Sequence, residues 1–75
     1  MANHITQWKP QVTVNDEIRR FNTYAEVKRN MKQLLQRSDS NIVYVSRSKR
    51  GEWGEWYEHW ALSGGKPIII EQGWM

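Results

Sequence analysis

Apolar positions between residues 23 and 37 recur with the period of an α-helix. Tyr24, Val27, Met31, Leu34 and Leu35 stand at i, i+3, i+7, i+10 and i+11, which makes one stripe on a helical surface. Just ahead of the stripe, Thr23-Tyr24-Ala25-Glu26 has the form of a capping box, with a hydroxyl at the N-cap and a carboxylate three residues later. Ser38-Asp39-Ser40-Asn41 closes the run. The spacing predicts a helix over 23–37 with a single buried face.

Beyond Asn41 the pattern changes. Ile42-Val43-Tyr44-Val45 is β-branched and aromatic and reads as a strand that continues through Ser46-Arg47-Ser48 to a turn near Arg50-Gly51. Residues 53–62 fit two templates. Trp53, Trp56, Tyr57 and Trp60 satisfy a helical spacing, whereas Gly54, the density of rings and the flanking turns favour a strand. Ser63-Gly64-Gly65-Lys66 suits a hairpin turn, because paired glycines accept positive φ. Pro67–Gln72 is the last strand, and Pro67 suggests an edge position because proline cannot donate to a ladder. Ahead of the helix, residues 1–10 read as an irregular lead-in ending at Lys9-Pro10. Gln11–Val14 alternates weakly as a short strand, and Asn15-Asp16 reads as a turn. The expected fold class is α+β: one amphipathic helix on a small antiparallel three-stranded meander, in the order β-α-β-β-β when the N-terminal strand joins.

A two-residue turn at Gly51-Glu52 would set Arg47 opposite Trp56, Val45 opposite Glu58 and Val43 opposite Trp60. One face would then carry Val43, Val45, Trp56, Trp60, Leu62 and Ile69. The other would carry Ile42, Tyr44, Tyr57, His59, Ala61, Ile68 and Ile70. Neither face is cleanly polar, yet one helix can roof only one of them. Apolar area should stay uncovered unless the N-terminal segment with Ile5 and Trp8 folds over it.

The bulk numbers narrow the classes. At 75 residues the chain is expected to be a single domain, 1–75. A domain of this size buries only about 60% of its unfolded surface, so its margin of stability is thin. It has no cysteine, hence no disulfide or thiolate metal site. The N-terminus lacks the basic and apolar regions of a signal peptide. The longest aliphatic run is Ile68-Ile69-Ile70, far short of a membrane span of about 20 residues. The expectation is a soluble cytoplasmic protein with no membrane contact.

Net charge is only +3, but it is unevenly spread. Lys28, Arg29, Lys32 and Arg37 are uninterrupted by any acid, as are Arg47, Lys49 and Arg50, whereas Glu52, Glu55, Glu58 and Glu71 face Lys66 alone. Around the helix axis Lys28, Arg29 and Lys32 fall on one flank of the stripe, with Arg37 on the other side. The candidate nucleic-acid contact is therefore Lys28, Arg29, Lys32, Arg47, Lys49 and Arg50 for phosphates, with Tyr44, Tyr57 and His59 to stack unpaired bases. A structural alternative has Arg47 lying over Trp56 and the other two arm cations meeting nearby glutamates.

Five tryptophans favour either core or interface. Trp56 and Trp60 suit the core, while Trp8, Trp53 and Trp74 are candidates for a protein interface. Glu55, Glu58 and His59 are the candidates for enzymatic chemistry. Glu58 and His59 are adjacent, so a strand points them to opposite faces. Glu55 and His59 would share a face about 13 Å apart, too far for one metal ion. A small ribonuclease using His59 as acid or base lacks a supporting motif. The function expected is a non-enzymatic binding protein with no cofactor and no metal, contacting DNA or RNA. The alternative is a protein-interaction module, as a homodimer or as an inhibitor of a partner.

Overall fold

The computed structural model describes residues 9–47 and 55–74. It contains strands β1 (Gln11–Val14) and β2 (Glu17–Arg20), helix α1 (Tyr24–Arg37), and strands β3 (Ile42–Arg47), β4 (Trp56–Ser63) and β5 (Lys66–Trp74). The five strands form one antiparallel sheet in the order β2-β1-β3-β4-β5, with α1 packed on one face. The α+β class holds. The expected three-stranded meander with one added strand becomes a five-stranded sheet, because residues 11–20 form a complete hairpin that pairs through β1 with β3. Trp8, Lys49, Arg50, Trp53 and the turn at Gly51-Glu52 lie outside the described residues.

Turn chemistry sets the hairpins. Asn15 and Asp16 both hold positive φ (51° and 69°), as do Gly64 and Gly65 (59° and 81°). Two consecutive positive φ values suit the twist of a two-residue hairpin. Gly64 and Gly65 adopt them without a Cβ penalty, whereas asparagine and aspartate tolerate them through local hydrogen bonding. Asn15 does more than turn. Its Nδ2 donates to the Arg37 carbonyl (2.9 Å) and its Oδ1 accepts from the Asp39 amide (2.8 Å), which ties the β1–β2 turn to the end of α1.

The helix begins as its cap predicts. The Glu26 amide donates to Thr23 Oγ1 (3.1 Å), and Glu26 Oε1 accepts from the Asn22 amide (3.0 Å). The second arm of the box thus reaches one residue further back than the usual N-cap amide. Val27, Met31, Leu34 and Leu35 of the stripe are buried against Val12, Val43, Val45 and Trp60. Ser38 Oγ accepts from the Ile42 amide (3.2 Å) and donates to its carbonyl (2.7 Å), which fixes the step from helix to β3.

The β3–β4 register is Val43↔Trp60, Val45↔Glu58 and Arg47↔Trp56. This pairing is the one expected, and residues 56–63 form a strand. β5 is an edge strand, as Pro67 suggested, and β2 is the other edge. A bulge between His59 and Trp60 leaves Ile70 without a partner in β4. No helix among the described residues is long and apolar enough to cross a membrane.

Candidate binding surfaces

The sheet has two unlike faces. On the helix side, Trp56, Glu58 and Trp60 are alternate residues of β4 and so point the same way. Glu58 sits at the centre and is only 2% exposed. Its carboxylate accepts from Trp60 Nε1 (2.9 Å, Oε1), Trp56 Nε1 (2.9 Å, Oε2) and the Tyr24 hydroxyl (2.7 and 2.8 Å). Arg47 Nη2 stands 3.7 Å from Oε2. A buried carboxylate is costly unless it is hydrogen-bonded and paired, and here three donors and a cation meet it. Glu58, a candidate for chemistry from sequence alone, is enclosed by structural partners.

The same cluster fixes the cations. The Arg47 guanidinium lies 3.8 Å from the centroid of the Tyr24 ring, and Lys28 Nζ lies 5.5 Å from it. The expected alternative of Arg47 over Trp56 is corrected in its partner: Arg47 stacks on Tyr24, because the helix brings that ring over the end of β3. Trp56 instead meets Trp74 edge-on, with centroids 5.5 Å apart. The Tyr24 phenol is held far above its ordinary value by burial first, then by the hydrogen bond to Glu58 and its charge, against a lowering by Arg47. Arg29 and Lys32 are exposed on the helix. Among the described residues no carboxylate pairs with Lys28, Arg29 or Lys32.

The opposite face carries the other predicted residues. Tyr44 and Tyr57 stack with centroids 6.3 Å apart, and His59 sits 5.0 Å from Tyr44 and 5.5 Å from Tyr57. Glu71 accepts from the Tyr57 hydroxyl (3.2 Å) and lies 3.5 Å from His59 Nδ1. The Tyr57 ring lies across Gly73, where an added Cβ would meet ring atoms at 3.4–3.7 Å. Burial raises both phenols above their usual value, with Glu55 adding to Tyr44 and Glu71 to Tyr57. Around these rings Ile18, Ile42, Ile68 and Ile70 are 65%, 41%, 41% and 52% exposed.

The predicted nucleic-acid set is therefore divided. Lys28, Arg29, Lys32 and Arg47 gather on the helix side, and Tyr44, Tyr57 and His59 gather on the opposite side. Strand parity is the reason: Arg47 shares a face with Val43 and Val45, and Tyr44 points the other way. Of the indole candidates, Trp74 is 44% exposed at the end of β5. Among the described residues no group of three or more histidines and carboxylates is placed to hold a metal ion. Comparison with protein-family models, with curated proteins and with solved structures found no match.

Proposed function

We propose that the chain is a small non-enzymatic binding protein of the cytoplasm that contacts nucleic acid through its helix side. The observation that carries this reading is the meeting of Lys28, from α1, and Arg47, from the end of β3, on the Tyr24 ring. It joins the helix flank bearing Arg29 and Lys32 to the strand end from which Lys49 and Arg50 follow in sequence. Arg47 is committed to Glu58 and acts as an anchor, so Lys28, Arg29 and Lys32 are the side chains offered to phosphate. Each phosphate they neutralise releases counterions. The stacking rings lie on the other face, so the contact is to backbone and tolerant of sequence.

Fluorescence anisotropy with short labelled single-stranded DNA, RNA and duplex DNA tests the proposal. Replacing Lys28, Arg29 and Lys32 by glutamine should weaken binding by about tenfold or more at low salt. Parent-like binding by that variant would defeat the reading. A second reading, a protein-interaction module, is supported by the exposed isoleucines of the opposite sheet face.

A further inference from the structure

We infer that the sheet face opposite α1 is the contact surface of a homodimer, with a second copy of this chain as its occupant. The inference rests on the second reading of that face and does not depend on nucleic-acid binding. Solvated strand faces normally carry polar residues at outward positions. Here the outward row across all five strands is Ile18, Thr13, Tyr44, His59 and Glu71, and the next row contains Ile42, Ala61 and Ile68. The row on the other side runs Arg20, Gln11, Ser46, Tyr57 and Gly73.

The charges on this face suit a second copy. Arg20 stands on the β2 edge and Glu71 on the β5 edge, with Gln11, Thr13, Tyr44, Ser46, Tyr57 and His59 between them. A two-fold axis running along the strands in the interface lays β2 of one copy over β5 of the other. Arg20 of each copy then faces the strand bearing the other copy's Glu71. Their rows differ by one pleat step of about 7 Å, which an arginine side chain can span. Tyr57 and His59 hold the Glu71 carboxylate in place for that contact.

The size of the patch sets the strength. Five strands about 4.8 Å apart and three rows about 7 Å apart make a face of roughly 450–500 Å². Two copies then bury about 1,000 Å², at the low end of specific association. The dimer should be reversible, with Kd roughly in the micromolar range.

Analytical ultracentrifugation of the full chain over a broad concentration range tests this. The parent should pass from monomer to dimer, and Ile42→Lys should remain monomeric. Arg20→Glu and Glu71→Arg should each weaken the dimer, and the two together should restore it. These side chains are exposed, and circular dichroism of each variant checks that folding is retained. A strictly monomeric parent would overturn the inference, as would dimerisation unaffected by Ile42→Lys. A dye that brightens on apolar surface separates the two levels. A monomer that binds it, and loses it in Ile42→Lys, removes the second copy but leaves a protein-contact face. A monomer that never binds it removes both.

Discussion

The Tyr24 hydroxyl donates to both carboxylate oxygens of Glu58, at 2.7 and 2.8 Å. This bond joins the first turn of the helix to the centre of the sheet, across 34 positions of sequence. Tyr24→Phe keeps the ring beneath Arg47 and removes the donor. The buried carboxylate is then left with the two indoles and Arg47. Unfolding in urea should show a loss of about 1–3 kcal/mol, the cost of leaving a buried polar group short of a partner. A variant as stable as the parent would show that Glu58 does not need this bond.

The same phenol gives a pH signature. Its pKa is raised in the folded chain above the ordinary 10.0, chiefly by burial. Above pH 10 the unfolded tyrosine loses its proton before the folded one does, so the unfolded state binds fewer protons and stability falls as pH rises. The contribution is fully present below 10.0 and is lost as pH climbs towards the folded value. The difference between parent and Tyr24→Phe isolates the effect. The gap in their stabilities should narrow above pH 10.

Asn15 bonds the Arg37 carbonyl and the Asp39 amide from a backbone with φ of 51°. Asn15→Ala loses both bonds and places a Cβ-bearing residue without a side-chain partner at positive φ. A destabilisation of about 2 kcal/mol is expected, together with faster hydrogen exchange of the Asp39 amide. Unchanged exchange at Asp39 would mean that the turn and the helix end are held independently.

Parts of this architecture are legible in the sequence for identifiable reasons. The helix is, because Thr23, Glu26 and the stripe from Tyr24 to Leu35 all point to the same element. The β3–β4 register is, because strand parity separates Val43 and Val45 from Ile42 and Tyr44. β2 is not, since Glu17-Ile18-Arg19-Arg20 has one apolar residue and its only local signal is the turn-tolerant Asn15-Asp16 before it. The Glu58 cluster hides for another reason. A carboxylate between two tryptophans at alternate positions is a hint, since both indole donors must share its face. Its burial, however, depends on Tyr24 and Arg47, which only the folded chain brings together. Division of the cations from Tyr44, Tyr57 and His59 follows from parity once Arg47 is known to face the helix.

The most direct test of the central claim is the salt dependence of oligonucleotide binding by the parent and by the Lys28/Arg29/Lys32→Gln variant. If those side chains meet phosphates, log affinity of the parent falls linearly with log salt. The variant's slope should be shallower by about 0.7–0.9 for each contact removed, hence by about 2–3 in all. Identical slopes, or a parent whose binding is indifferent to salt, would contradict the account.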